Sequence, residues 1–197
     1  MRRLVRDARG FTLAELLIVC AILGFMMAAL FTLQRQGQLA YLTGSARVEV
    51  QQNARLALDM MVSDIRSALP VAGTTQVVTA IDANCATGAP PASGGGTSIS
   101  FSDQNGTATT YSLVGASCNT STTGCDLQKN GATVIGGVQT LQIWCYNDAT
   151  PVALNATLAN IREIRIQIKT KTERGAGAGT PGDQHAIVES RVRFRNI

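Results

Sequence analysis

The chain has 197 residues, of which 45% are hydrophobic and 15% are charged. A chain of this length can bury the core of one globular domain. Its formal charge at pH 7 is +4, but the first ten residues hold four arginines against one aspartate. Subtracting these from the 17 basic and 13 acidic side chains leaves 13 and 12. The near-neutral remainder excludes the global basic balance that is typical of nucleic-acid-binding proteins.

An apolar stretch directly follows the basic N-terminus. Residues 11–33 are almost entirely apolar, and residues 16–33 carry no charge. A helix needs about 20 such residues to cross the hydrocarbon core of a membrane, so the stretch predicts a transmembrane segment. Four arginines precede it, namely Arg2, Arg3, Arg6 and Arg9. By the positive-inside rule they keep the leader in the cytoplasm, and the residues after about 35 are exported.

Glu15 is an acid inside this apolar segment. An ionised carboxylate there costs on the order of 3 kcal/mol, which makes it a functional candidate that needs a partner. Cleavage between Gly10 and Phe11 would create an α-ammonium group at Phe11, one helical turn from Glu15. The two charges can pair within one helix or between neighbouring subunits, where lipid excludes competing water. We therefore expect Glu15 to set the register of assembly.

Residues 9–19 resemble the class III signal of type IV prepilins and type II secretion pseudopilins, because they combine a basic leader, Gly10, Phe11 and Glu15. The resemblance implies that a prepilin peptidase cuts between Gly10 and Phe11 and methylates the new terminus to N-methylphenylalanine. It also implies that Glu15 guides assembly into a filament. An ordinary secretory signal or a plain single-span anchor is the alternative. The apolar region of an ordinary signal lies before the cut, whereas here the junction precedes the apolar run.

The helix is predicted to continue beyond the membrane. Apolar residues recur there at spacings of three and four, at Ala54, Leu58, Met61, Ile65 and Leu69. Pro70 ends the pattern, because it lacks a backbone donor and pushes the preceding residue out of the helical region. We expect residues 34–69 to form the exported half of the helix and to pack its apolar stripe on the chain's own sheet. A surface for a partner helix is the alternative.

A change of composition follows the helix. Residues 70–96 are rich in Ala, Gly, Thr and Ser and include Pro90, Pro91 and Gly94, which predicts a loop or connector. Residues 97–197 carry strand patterns and are expected to form the globular domain. The predicted strands lie at 97–101, 109–114, 133–135, 141–146, 164–169 and 188–195. A glycine-rich loop at 175–182 joins the last two, in which apolar and polar residues alternate.

These elements predict an α+β fold in which a long N-terminal helix packs on a C-terminal antiparallel sheet. That arrangement resembles the type IV pilin-like fold. Residues 51–66 and 191–196 are also similar to minor pilins of the PilW class and the related J-type minor pseudopilins. In that family such subunits lie at or near the filament tip and help to start assembly. Thr32 stands where many major pilins carry a helix-kinking proline, which favours a minor subunit.

The cysteines indicate export. Cys20 lies within the apolar segment and is interpreted as a small apolar residue. The exported part holds an even set, which is Cys85, Cys118, Cys125 and Cys145. In an oxidising compartment these four can pair, and three connectivities are possible. We favour Cys118 with Cys125, which closes a short polar loop, and Cys85 with Cys145.

The sequence offers little for catalysis or metal binding. His185 is the only histidine, and its glycine-rich surroundings predict an exposed loop. No serine or cysteine motif marks a nucleophile with its base, and the usual zinc-ligand spacings are missing. The glycines at 175–179 join two strands rather than opening a helix, so they do not form a phosphate loop. We expect the chain not to be an enzyme and to hold no cofactor or metal.

DNA binding during uptake is an alternative role, since the last 37 residues hold eight basic and four acidic side chains. Alternating charged and apolar residues are also what a solvated sheet face shows, and aromatic stacking partners are few there. Nucleic acid is therefore not the expected partner.

Taken together, these features predict a minor pilin or pseudopilin, a structural subunit that helps to initiate or cap a type IV pilus or a type II secretion pseudopilus. Its expected partners are other pilin or pseudopilin subunits, the prepilin peptidase and inner-membrane lipid. We expect it to span the bacterial inner membrane once, with its C-terminal domain in the periplasm, before it joins the filament. A membrane-anchored periplasmic sensor or binding module, with the same helix as a tether, is the alternative of a different class.

Overall fold

The structure is a computed structural model that describes residues 10–88, 95–120, 123–148, 153–155, 157–173, 180 and 183–195. The leader at 1–9, Pro90, Pro91 and Gly94, and most of the glycine-rich loop at 175–182 lie outside the described residues. The chain divides into two compact units, Met1–Tyr41 and Leu42–Ile197.

A single helix, α1, runs from Leu13 to Ser67. Its part in the first unit, residues 13–41, includes most of the apolar stretch and is exposed throughout. Its end lies in the second unit, two residues before the predicted end at Leu69. The amide of Leu69 donates instead to the carbonyl of Ser102 at 3.1 Å. A strand of the sheet therefore supplies the hydrogen-bond partner of the residue just before Pro70, in place of the helix.

In the second unit, one stripe of α1 is buried against a β-sheet. The apolar spacing explains this, because residues three and four apart share a helix face. The buried helix residues are Val50, Ala54, Ala57, Leu58, Met61, Val62 and Ile65. The last five of these form one core with inward-facing residues of every strand. The expected α+β arrangement, a long N-terminal helix with an antiparallel sheet packed on it, is confirmed.

The sheet has seven strands whose spatial order follows the chain, and every neighbouring pair is antiparallel. The strands are β1 (Val78–Ile81), β2 (Ser98–Ser102), β3 (Ala108–Val114), β4 (Cys125–Lys129), β5 (Ala132–Tyr146), β6 (Glu163–Lys171) and β7 (His185–Arg193). The sheet curls, and an extra bridge joins Gly96, just before β2, to Ile143 in β5.

Three strands differ from the sequence prediction. β1 lies inside the predicted connector at 70–96, and β4 was not predicted at all. β5 is one strand where two were predicted, because Gly136 and Gly137 interrupt the apolar pattern without ending the strand. Gly137 has φ +69, and a Cβ there would lie 2.4 Å from the carbonyl oxygen of Lys171. This glycine permits a close backbone approach beside the register shift between Val138 and Thr140.

Polar contacts fix the helix of the second unit to the sheet. Asp64 on α1 accepts hydrogen bonds from the Tyr111 hydroxyl and from the Lys129 ammonium group, each at 2.5 Å. At the other end of this packed segment, the Thr170 hydroxyl donates to the carbonyl of Val50 at 3.1 Å. The helix therefore contacts β3 and β4 near its end and β6 near its entry into the unit.

Candidate functional site

The predicted junction lies immediately before the helix. Gly10 and Phe11 are not helical, and α1 begins at Leu13. Both residues are exposed, with 85% of Phe11 accessible. A peptide bond outside a helix is not held in the i to i−4 hydrogen-bond pattern. The peptide bond between Gly10 and Phe11 is thus accessible to a peptidase.

Thr12 and Glu15 form a reciprocal cap at the start of α1. The Glu15 carboxylate accepts the Thr12 amide at 2.9 Å and the Thr12 hydroxyl at 3.0 Å. In return, the Glu15 amide donates to the Thr12 hydroxyl oxygen at 3.3 Å. This is a capping box, in which the side chains of the N-cap and N3 residues satisfy each other's backbone donors. It explains why the helix begins at Leu13 and not at Phe11.

Thr12 is the site residue that the sequence reasoning missed. Its signal was present, since a threonine followed three residues later by a glutamate before an apolar run is typical of a helix start. Pairing of Glu15 with a Phe11 ammonium group stays a prediction, because here Phe11 is still joined to Gly10. The structure adds that Glu15 already has a partner in the uncleaved chain.

By length and composition, α1 is able to cross a membrane, and the apolar window that qualifies it lies near the N-terminus. Cys20 is exposed on this segment. Thr32 donates its hydroxyl to the carbonyl of Ala29 at 2.7 Å, and the helix continues past it. Cys20 and Thr32 are both exposed residues of the first unit.

Four cysteines of the second unit form two disulfides, Cys85 with Cys145 and Cys118 with Cys125. Cys85 lies in a single 3-10 turn, Ala83–Ala86, and Cys145 lies in β5. Both are fully buried in the core. This pairing is the connectivity that the spacing favours.

Asp82 holds the turn that carries Cys85. Its carboxylate accepts the amide of Asn84 at 3.0 Å and both the amide and the hydroxyl of Thr97 at 3.1 Å. These hydrogen bonds, led by the one from the Asn84 backbone, keep the pKa of Asp82 below its usual value despite partial burial. One carboxylate thereby ties the turn to the strand that follows it.

The basic residues of the last two strands are interleaved with acids on the outer face of the sheet. Three ion pairs form there: Arg165 with Glu189, Arg191 with Glu163, and Arg193 with Asp148. A fourth pair, Lys171 with Asp183, is almost buried, since only 9% and 10% of the two side chains are exposed. A phosphate backbone is bound by cations that are free to replace its counterions. Because each of these four cations has an acidic partner, the pairs add little net positive charge, which weakens the DNA alternative.

His185 does not lie in a loop, as the sequence predicted, but is the first residue of β7. The side chain is exposed, and its Nε2 atom lies 3.2 Å from an oxygen of Asp183, which also pairs with Lys171. The prediction was wrong because the strand begins before the apolar alternation becomes clear. Among the residues that the structure describes, no group of three or more His, Cys, Asp or Glu side chains is arranged to hold a metal ion.

Comparison with known proteins agrees with the N-terminal geometry. Residues 5–31 match a prokaryotic N-terminal methylation motif. No curated protein and no solved structure matches the chain. The motif covers the junction, the capping box and most of the apolar segment. It supports a type IV pilin-like protein, which points to a structural subunit that a prepilin peptidase processes and that assembles with other pilins.

Proposed function

We propose that the chain is a minor pilin or pseudopilin, which helps to initiate or cap a type IV pilus or a type II secretion pseudopilus. The observation that carries the proposal is the N-terminal site. An exposed junction, an acid inside an apolar segment and a helix long enough to span a membrane occur together within one methylation motif. The minor role is supported by the resemblance at 51–66 and 191–196 and by Thr32 in place of proline.

In this proposal, residues 1–10 are removed and Phe11 becomes N-methylphenylalanine. Residues 11–33 remain in the bacterial inner membrane, and the second unit lies in the periplasm until the subunit joins the filament. The two disulfides support this location, because an oxidising compartment lets them form and persist. Glu15 would then contact the new terminus of its own or a neighbouring subunit.

Intact-mass spectrometry of the chain purified from its native membrane tests the proposal. We expect a mass equal to residues 11–197 with two disulfides and one added methyl group. A matched sample from cells without prepilin peptidase should give the uncleaved mass. A native chain that still begins at Met1 would contradict the proposal and favour an anchored periplasmic sensor or binding module.

A further inference from the structure

The last strand of the sheet leaves one of its edges open. All nine residues of β7 pair with β6 in a continuous register, from Lys171 opposite His185 to Glu163 opposite Arg193. β7 is the terminal strand, and in the described part of the chain no strand lies on its other side. Unpaired backbone groups on an edge strand are a template for another strand.

The register shows which backbone groups point outward. Just beyond the strand ends, Thr172 donates to the carbonyl of Gln184, and Phe194 donates to that of Arg162. Even-numbered residues of β7 therefore bond to β6, because bonded and non-bonded pairs alternate in an antiparallel ladder. The outward-pointing N–H and C=O groups belong to the odd-numbered residues, which are His185, Ile187, Glu189, Arg191 and Arg193.

The opposite edge of the sheet is different. β1 has only four residues, its register shifts between Val78 and Ala80, and the 3-10 turn Leu158–Asn160 lies beside it. Short strands, bulges and covering segments are the usual protection of a sheet edge. β7 has no proline, and its pairing with β6 shows no register shift. The open edge is thus the long and regular one.

The charged side chains of β7 have partners of opposite charge within the same sheet, so they do not repel a neighbouring strand. Glu189 pairs with Arg165, Arg191 pairs with Glu163, and Arg193 pairs with Asp148. The two arginines remain 52% and 64% exposed, whereas the apolar Ile187 is 62% exposed. The outer side chains therefore offer two accessible cations and one apolar contact in a fixed order.

A second copy of this chain does not suit the edge in an antiparallel pair. Such a pair would place a two-fold axis perpendicular to the sheet, and the axis would reverse the helix segment that lies on it. The two helix segments would then run in opposite directions. Chains anchored in one membrane by the same N-terminal segment leave it in one direction.

We propose that the open edge of β7 binds an extended segment of a partner polypeptide, which adds to the sheet as an antiparallel eighth strand. The partner's backbone bonds to the odd-numbered residues of β7, as in other cases of strand addition. Its outer side chains are two acids opposite Arg193 and Arg191, a base opposite Glu189 and an apolar residue opposite Ile187. The exclusion of a second copy rests on the membrane anchoring of the proposed function, whereas the rest of the inference uses the second unit alone and does not depend on processing at Phe11.

A peptide-binding experiment on the full-length chain in lipid nanodiscs tests this order of charges. The probe is a fluorescein-labelled, end-capped peptide with the sequence Glu-Thr-Glu-Thr-Lys-Val-Leu, and the control peptide is Lys-Thr-Lys-Thr-Glu-Val-Leu. We expect fluorescence anisotropy to show binding of the first peptide about tenfold or more tightly than the second, since like charges repel across an interface. Equal affinity for the two peptides would overturn the proposal.

Two substitutions of Ile187 test separately what its backbone N–H and its side chain contribute to peptide binding. Ile187→Pro removes an outward N–H while leaving the bonds to β6, and we expect it to abolish binding of the acidic peptide. Ile187→Thr keeps the N–H and should bind within about threefold of the parent, because only part of one apolar contact is lost. A folded Ile187→Pro chain that binds like the parent would contradict the proposal.

Hydrogen exchange of the parent chain tests whether the edge of β7 is open and binds the peptide, even if the proline variant fails to fold. Without peptide, the amides of Ile187, Glu189 and Arg191 should exchange rapidly, whereas those of Val188 and Val192 should be protected. With the acidic peptide, the first three should also become protected. Odd-numbered amides that are already protected in the free chain would show that the edge is occupied and the inference wrong.

Discussion

The carboxylate of Glu15 has a role before any partner subunit arrives. It binds both the amide and the hydroxyl of Thr12, so the helix begins two residues after the predicted junction. Without this cap, the first amides of the helix would lack partners in a medium that supplies few. The same acid that we propose as the assembly contact therefore also fixes where the helix starts.

Thr12→Val tests the cap, because it keeps the shape of the side chain and removes the hydroxyl. We expect the Glu15 amide in nanodiscs to exchange its hydrogen about fivefold faster or more, the factor that corresponds to a lost N-cap. Thr12→Ser keeps the hydroxyl and should behave like the parent. Unchanged protection in the valine variant would show that the cap does not form in lipid.

Asp82 makes the stability of the second unit depend on acid pH. Its pKa is lowered in the folded chain, so its stabilising contribution is complete above the unfolded value of about 4 and is lost as the pH falls through the folded pKa. Asp82→Asn keeps one acceptor for Asn84 but loses the carboxylate oxygen that binds Thr97.

The free energies of urea unfolding of the parent and of Asp82→Asn should therefore differ at pH 7, and the difference should shrink as the pH falls below about 4. Other carboxylates titrate in both proteins, so the difference between the two isolates Asp82. The opposite result, a gap that widens towards pH 3, would mean that the folded chain prefers the protonated acid.

At the scale of elements, the clearest sequence patterns predicted the helix and the last two strands. The spacing of Ala54, Leu58 and Met61 specifies a buried stripe, and the alternation around Ile166 specifies an inward face. β4 had a weaker signal, because Cys125 and Leu127 are the only inward apolar residues in its five positions. β1 could not be predicted, since pairing with β2 and the nearby disulfide decide its structure rather than its own composition.

The parts of the candidate site that lie close together in the sequence could be predicted from it. The junction and Glu15 stand in one short stretch of sequence, and the capping box could have been read there too. The ion pairs on the outer face could not, because they join Arg165 to Glu189 and Arg193 to Asp148 across a register that no local pattern specifies.

The contact of α1 with β3 and β4 depends on the phenol of Tyr111. Burial, with the hydrogen bond to Asp64 as a further cause, raises the pKa of this phenol above its usual value. The neutral form is favoured in the folded chain, so its contribution is complete below about pH 10 and is lost as the pH rises towards the folded pKa. Alkaline pH should thus loosen the contact between the helix and the sheet.

Tyr111→Phe should destabilise the domain by about 1 kcal/mol at pH 7, the typical value of one hydrogen bond. Above pH 10, the parent should lose stability more steeply than the phenylalanine variant. Urea unfolding at pH 7 and pH 10.5 measures both effects. Parallel losses in the two proteins would assign the alkaline transition to groups other than Tyr111.

At the scale of the whole molecule, the two disulfides constrain the unfolded chain unequally. Cys85 and Cys145 are 60 residues apart, whereas Cys118 and Cys125 are seven apart. The entropy of loop closure grows with the logarithm of loop length, so the longer loop is worth about 2 kcal/mol more in the chain-entropy model.

Replacing Cys85 and Cys145 together by alanine should therefore lower the free energy of unfolding more than replacing Cys118 and Cys125. The two double variants control for each other, since each removes one disulfide and two thiols. Urea unfolding under oxidising conditions measures the difference. Equal losses, or a larger loss for the short loop, would contradict the chain-entropy explanation.

Filament assembly is the test of what Glu15 does for the whole molecule. Glu15→Gln removes the charge but keeps an acceptor for the Thr12 amide, since glutamine also completes a capping box. Glu15→Ala removes both the charge and the cap. If the carboxylate neutralises a Phe11 ammonium group, both variants should insert in the membrane normally and fall well below the parent in incorporation into sheared filaments.

Immunoblots of membrane and filament fractions measure insertion and incorporation separately. Normal incorporation of Glu15→Gln together with failure of Glu15→Ala would assign the role of Glu15 to the cap. Normal incorporation of both variants would contradict any assembly role for this acid. Because the glutamine variant changes charge without changing the start of the helix, it distinguishes pairing between charges from the local order that the structure already shows.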